Sequence, residues 1–294
     1  VCIMSFVIST DTSANLPTAE LERHHLALLP FSYIVNGEER QCLDLASFDA
    51  DDYYSMLRRT PASTSMVSMD QYMQVWRPLL EEGHDVLHIG MSSGISGAYQ
   101  SAVMAARELR EEYPQRRLAV FDTRAASLGE GIQVLHGATC REAGFTLDET
   151  MRELAALRPR IRQIFTVDDL MHLRRGGRVS GVAAAVGTAL RIKPLLKGDA
   201  AGRIVVFGKV QGRKRAVRSL ADNFAENAEL LGHWLVGIAH AGCRDEALEL
   251  AAMLHASDPK ARIIVVDYEP VTGSHVGPGA LAMFYVARED ARPL

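Results

Sequence analysis

Short, unbroken apolar runs alternate with stretches of helical period along the first half of this chain. The runs at residues 5–10 (SFVIST), 84–91 (HDVLHIGM) and 117–123 (RLAVFDT) are flanked by turn residues, with helical patterns between the last two and after them. Continuous apolar strands separated by helices predict a parallel sheet covered on both faces. A helix over 145–161 (FTLDETMRELAALRPRI) ends near Pro159, and beyond it the pattern changes. Five candidate strands follow, QIFTVDDL, GRIVVFGKV, HWLVGIAHA, ARIIVVDYEPV and ALAMFYVA, with helices at about 214–231 and 244–256. These patterns predict an α/β protein of two domains. The N-terminal domain, over 1–160, is built on a parallel sheet, and the C-terminal α/β domain, over 161–294, on a mixed one.

Length and composition agree with two globular domains. The 294 residues exceed the roughly 150 of a typical domain. Apolar residues at 48% and charged residues at 23% exclude a disordered or fibrous chain. The formal net charge is −4, with acids and bases mixed rather than in blocks. Electrostatics therefore gives no reason to expect nucleic acid or an anionic membrane surface as partner. Cys2, Cys42, Cys140 and Cys243 are far apart, with no CxxC pair and no Cys/His ligand spacing. Free thiols in a reducing compartment are expected, with no metal. The opening VCIMSFVIST lacks the basic start of a signal peptide. No apolar run approaches the roughly 20 residues of a membrane span, so a cytoplasmic protein without stable membrane insertion is expected.

The candidate chemistry lies in hydroxyl-rich loops that follow predicted strands, where α/β sheets bind ligands. These are STDTSANLP after the first strand, MSSGISG after the second and DTRAASLGEG after the third. The second admits two readings. Gly90, Met91, Ser92, Ser93 and Gly94 match a GxSxG nucleophile elbow between strand and helix. Asp267 and His275 would complete a serine hydrolase acting on acyl substrates, although no HGGG-like oxyanion segment precedes the loop. Alternatively, Ser96 stands at the start of the amphipathic stretch GAYQSAVMAARELREEY. As an N-cap it would join its hydroxyl to free backbone N–H groups, in a site for carboxylate or phosphate or simply as a cap of its own helix.

Taken together, these segments resemble the DegV family, whose members include the fatty-acid-binding subunits of bacterial fatty acid kinases. STDTSANLP looks like its D-S-[ST]-x-x-[IL]-P segment, STSMVS (63–68) its T-S-Q-P-S segment, and MSSGISGAYQSA its S-S-x-L-S-G-T-Y-Q-S-A segment. VFDTRAASLGEG, LRRGGRVS, LRIKPLL and GSHVGPGALAMFY are similar to further family motifs in the family's order, from Ser9 to Phe284. The resemblance implies a two-domain DegV-like fold with a lipid tunnel between the domains. It implies a carrier that buries a long-chain fatty acid and presents its carboxylate to a fatty acid kinase catalytic subunit, which makes an acyl phosphate. On that basis the protein is not an enzyme alone, has no catalytic residue, and carries fatty acid as ligand rather than a cofactor.

Carried over residue by residue, the carboxylate ligands are Thr64, with Ser65 beside it, and Ser96, with Ser93 as a second candidate. His275, before a GPG turn, could when protonated balance the head-group charge. Arg178, after Gly176 and Gly177, could face an acyl phosphate or the kinase. Asp11 is read as organising the loops through backbone N–H groups. The small-residue stretch SGVAAAVGTAL (180–190) reads as a closely packed helix or a tunnel wall. Met66 and Val67 replace the family's Gln-Pro, and Gly94 and Ala98 its common Lys and Thr, while the hydroxyls are all present.

Overall fold

The computed structural model describes residues 6–179, 192–230 and 232–291. Its residues group into two compact units. One is built from the chain up to Phe48 and from Ser63–Pro159, the other from Asp49–Ala62 and the chain from Arg160 on.

The first unit begins with strand β1 (Val7–Asp11), helix α1 (Thr18–Arg23), β2 (Ala27–Leu29), β3 (Ser32–Val35) and β4 (Glu38–Gln41). Helix α2 (Ala50–Leu57) comes next in the chain but belongs to the second unit. The first unit resumes with β5 (Ser63–Ser65), α3 (Met69–Glu81), β6 (Val86–Gly90), α4 (Ala98–Glu112), β7 (Leu118–Asp122), α5 (Leu128–Glu142) and α6 (Leu147–Leu157). Strands β2, β1, β6 and β7 form a parallel sheet in that order. All five residues of β6 are buried, as an unbroken apolar run predicts for a strand covered on both faces. Side chains alternate across it. His88 meets Tyr72 and Trp76 of α3 at centroid distances of 5.1 and 5.3 Å, whereas Ile8 and Ile89 turn toward α5 at Gly137.

Helix boundaries follow local chemistry. Ser68 with Gln71 closes a capping box on α3, and Thr146 with Glu149 closes one on α6. The helix expected over 145–161 is thereby confined to Leu147–Leu157, with a single 3-10 turn at Arg158–Arg160. A three-stranded antiparallel sheet, β4-β3-β5, escaped the apolar-run reading. All four residues of β4 are exposed, so no run marks it. The tight Asn36-Gly37 turn, φ 53° and 82°, closes its hairpin.

The second unit continues with β8 (Ile161–Thr166), α7 (Met171–Arg175), β9 (Ile192–Gly198), β10 (Ile204–Gln211) and α8 (Arg213–Asn227). It ends with β11 (Leu235–His240), α9 (Arg244–Ser257), β12 (Arg262–Asp267), α10 (Pro270–Val276) and β13 (Leu281–Val286). Its sheet runs β10-β9-β8-β13-β11-β12 and is mixed, and among the described strands only the β11–β12 pair is parallel. Strand β9 adds a sixth member to the five expected, because Lys193, Pro194 and Lys197 interrupt its apolar run. Leu220 and Phe224 of α8, with Leu250 and Leu254 of α9, pack against Ile238 and Tyr285 in its core.

The expected division into 1–160 and 161–294 differs from these units in the segment 49–62. Two tyrosines of α2 explain its allegiance. The Tyr54 hydroxyl donates to Tyr268 O at 2.6 Å, and that of Tyr53 to Pro270 O at 2.9 Å. The helix expected over 180–190 and Cys2 lie outside the described residues.

Candidate functional site

Three hydroxyl-bearing loops leave the carboxyl ends of β1, β6 and β7, which are neighbours in the first unit's sheet. They are tied together by their own hydrogen bonds. Ser92 N donates to Ala125 O at 2.8 Å, and Thr123 Oγ1 to Gly90 O at 2.8 Å. Asp11, fully buried at the end of β1, accepts from Ser13 N on Oδ1 (2.9 Å) and from Met91 N on Oδ2 (3.2 Å). Its carboxylate thus joins the first two loops through backbone N–H groups.

Below the loops, Trp76 Nε1 donates to Ser9 Oγ at 3.0 Å, and Ser9 Oγ lies 3.1 Å from His88 Nδ1. Burial pushes His88 down to about 3, which keeps the ring neutral.

The serines of the second loop have distinct environments. Ser92 is fully buried and its Oγ accepts from Gly94 N at 3.0 Å. Ser93 donates from Oγ to Asp122 Oδ2 at 2.6 Å and from its amide to Oδ1 at 3.1 Å. A proton committed to a carboxylate leaves Ser93 with lone pairs to offer. Ser96 is half-buried, and its Oγ accepts from Ala98 N at 3.2 Å. Gly97, directly before Ala98 of α4, already has helical φ and ψ, so the Ser96 hydroxyl caps the free amide of Ala98 at the start of its own helix. Accepting one N–H leaves the Ser96 hydroxyl hydrogen to donate.

These environments correct the nucleophile-elbow reading. An elbow serine projects its oxygen from a strained turn, whereas Ser92 is enclosed. Gly90, the first glycine of the pattern, has a packing role: a Cβ there would sit inside the His88 imidazole. Asp267, proposed to orient His275, instead has Oδ1 at 3.2 Å from Nδ1 of His240.

Thr64 lies half-buried in the middle of β5, opposite Tyr33, and Ser65 is exposed opposite Ser32. Met66 follows. Its sulfur would be 2.9 Å from a Cβ built on Gly97, so the end of β5 lies against the start of α4. The structure therefore brings the Met66 side chain, next after Ser65, to the turn that follows Ser96.

In the second unit, His275 and Arg178 both flank Gly176. A Cβ at that glycine would be 2.6 Å from His275 Nδ1 and 3.5 Å from Arg178 Cδ. Burial, and then the Arg178 guanidinium, push His275 down to about 4. Both effects favour the neutral imidazole in the ligand-free protein. Helix α10, which carries it, is fixed at its start by Glu269, whose carboxylate accepts from Val271 N and Thr272 N at 2.6 Å each. Tyr54 lies so close to Gly273 that no side chain fits there. Sequence reasoning missed Tyr53, Tyr54, Trp76, His88 and Asp122, whose side-chain hydrogen bonds reach Pro270, Tyr268, Ser9 and Ser93 elsewhere in the chain. Among the described residues, no three His, Cys, Asp or Glu side chains come together to hold a metal ion, and no helix is long and apolar enough to cross a membrane.

Comparison with known proteins places this geometry in context. The sequence model of the DegV family, described as an uncharacterised protein family, matches residues 5–288. A DegV domain-containing protein of Clostridium perfringens is 34% identical over 285 residues, covering 96% of this chain and 97% of that one. Among solved structures, a Thermus thermophilus DegV family protein described by its fatty acid binding aligns with a TM-score of 0.86 at 29% identity, covering 97% of this chain and 100% of that one. A Streptococcus agalactiae protein, described as a fatty acid binding DegV family protein, aligns with a TM-score of 0.84 at 30% identity, covering 98% and 100%.

Proposed function

The chain belongs to the DegV family, and from that membership and its hydroxyl loops we propose that it is a carrier of a long-chain fatty acid. The observation that supports the reading is the contact of Met66, two residues after Thr64, with Gly97, next after Ser96. On this reading Thr64 and Ser96 donate to the fatty acid carboxylate, with Ser65 and Ser93 at its margin. His275 and Arg178 are the second unit's candidates for the ligand or for a protein partner. The relatives from T. thermophilus and S. agalactiae, described as binding fatty acid, support the ligand class.

The energetics favour such a division of labour. Burying about fifteen methylenes at about 0.8 kcal/mol each yields on the order of 12 kcal/mol gross, before the entropic costs of binding. The tail then dominates affinity, and the head-group site needs only neutral donors. The finer part of the proposal is presentation to a partner kinase. The bound carboxylate oxygen attacks the terminal phosphorus of a nucleoside triphosphate, the bond to the bridging oxygen breaks, and acyl phosphate and nucleoside diphosphate result. The carrier itself performs no chemistry, and the reading places it in the cytoplasm with the nucleotide.

Two measurements test this. Organic extraction of the purified, denatured protein followed by mass spectrometry is expected to release near-stoichiometric long-chain fatty acid. A protein that releases none and takes up none when it is added refutes the reading. Replacing both Thr64 and Ser96 by Ala is expected to weaken fatty acid binding or stop kinase-dependent acyl phosphate formation. Unchanged binding and phosphorylation would overturn the assignment of those two residues.

A further inference from the structure

Asp122, at the carboxyl end of β7, takes no part in the proposed binding, yet it decides what one serine of the second loop can offer. Ser92 O accepts from Ile95 N at 3.3 Å and from Ser96 N at 3.2 Å, so residues 92–96 form a single helical turn. Side chains three residues apart on such a turn are neighbours, which sets the exposed Ser93 next to the proposed donor Ser96. On the Asp122 carboxylate, Oδ1 accepts from Ser93 N at 3.1 Å and from Arg124 N at 3.0 Å, and Oδ2 accepts from Ser93 Oγ at 2.6 Å. Backbone amides only donate, so Oδ1 is fixed as an acceptor, and the serine hydroxyl has a single hydrogen to give. Committed to Oδ2 in a charge-assisted bond, that hydrogen is withheld from a ligand. What Ser93 turns outward is lone pairs. Arg158 donates to the Asp122 backbone oxygen at 3.0 Å and lies over the Phe121 ring at 5.1 Å, which holds this strand end independently of the carboxylate.

We propose that Asp122 is a specificity-determining residue of the head-group site: by taking the Ser93 hydrogen it leaves the serine turn with a donor, Ser96, beside an acceptor, Ser93. The inference rests on the reading of that turn as part of the head-group site. A carboxylate has only acceptor oxygens, so it takes the Ser96 hydrogen but meets lone pairs at Ser93. The turn thus holds an acid by one side of its head. A long-chain primary amide matches both serines, its carbonyl accepting from Ser96 and its NH2 donating to Ser93. The ligand class extends accordingly to neutral head groups that carry a donor beside an acceptor. In Asp122→Asn the side-chain oxygen stays at the Oδ1 position, where two amides point, and the NH2 takes the Oδ2 position. That NH2 donates to Ser93 Oγ, and the serine hydrogen turns to the ligand. An isosteric change that keeps both backbone bonds therefore converts Ser93 from acceptor to donor.

The experiment compares palmitate and palmitamide binding to the whole chain at one pH, because the ratio of the two dissociation constants cancels what a variant does to the tail site. Asp122→Asn is expected to shift that ratio toward palmitate on the order of tenfold, the worth of a hydrogen bond to a charged group. Ser93→Ala, at an exposed position, is expected to weaken palmitamide several-fold and to leave palmitate within about twofold. In the Ser93→Ala background the shift caused by Asp122→Asn should shrink. A ratio that Asp122→Asn leaves unchanged overturns the proposal, as does an equal shift in the Ser93→Ala background, where only the charge has changed. So does a Ser93→Ala protein that loses palmitate rather than palmitamide, or a wild type that binds palmitate and rejects palmitamide. A wild type that takes up neither refutes the carrier reading and this selectivity with it, whereas binding of both in the wrong pattern refutes the role of Asp122 and leaves the carrier reading standing.

Discussion

Asp11 and His88 are predicted to act in opposite directions on the pH dependence of stability, so that removing either unmasks the other. Burial raises Asp11 from 3.8 to about 6 and lowers His88 from 6.5 to about 3. Folded Asp11 keeps a proton that the unfolded chain has released, so its contribution is fully present below 3.8 and is lost as the pH rises through about 6. For His88 the unfolded chain takes up a proton that the folded chain refuses. Its contribution is fully present above 6.5 and is lost as the pH falls toward about 3. A full pH unit is worth about 1.4 kcal/mol per group, and because each group is partly titrated at the ends of the interval, each contribution changes by about 2 kcal/mol between about pH 4 and about pH 6, with opposite sign.

In wild type these two slopes cancel. Asp11→Asn should therefore lose about 2 kcal/mol of stability on acidification from about pH 6 to about pH 4, relative to wild type. His88→Gln should lose a similar amount as the pH rises over the same interval, and the double variant should be flat again. Urea unfolding followed by tryptophan emission measures this. The chain has two tryptophans, so a Trp234→Phe background leaves Trp76, fully buried against His88, as the reporter of the first unit. The shared background of other titrating groups cancels in each difference from wild type, and a pH-independent offset from lost packing does not disturb the slopes. Variant profiles that run parallel to wild type would refute the reasoning.

Two packing predictions are simpler. Gly90→Ala places a Cβ inside the His88 imidazole and is expected to cost about 1–3 kcal/mol, read as a lower urea midpoint of the Trp76 signal. Tyr54→Phe keeps the ring beside Gly273 but leaves the buried Tyr268 carbonyl without its hydroxyl donor; a loss of about 1–3 kcal/mol is expected in thermal unfolding of the second unit.

What was legible in the sequence depended on whether burial wrote itself into a local pattern. Strands β1, β6 and β7 announced themselves because both faces of a parallel sheet are covered and their runs are unbroken. Strand β4 is exposed at every position, and β9 carries Lys193, Pro194 and Lys197, so neither yields such a run. Helix α2 gave no sign that it packs with a unit more than a hundred residues further on, because Tyr53 and Tyr54 look like any aromatic pair on a helix. Glu130 is the clearest case. A glutamate in the first turn of a helix is what a solvated helix also places there to complement its dipole. Only its partners, Thr10 and Ser13, separated from it by 120 and 117 residues, show that it is buried. The GMSSG pattern misled for a related reason: it fixes the glycines but not which way Ser92 faces.

A carrier that hands its ligand's carboxylate to another protein must hold that group without neutralising it in a fixed ion pair. A bidentate guanidinium would bind it strongly and occupy both oxygens. The two head-group donors proposed in the first unit, Thr64 and Ser96, avoid that, because both are neutral hydroxyls. Much of the serine loop's polar capacity is spent on its own shape, through Ala125, Asp122 and Asp11. Few groups are left to engage a ligand, and they are fixed in advance by a buried network rather than by the ligand. Such a site would contribute orientation more than affinity, which suits a molecule whose binding energy comes from its hydrocarbon tail.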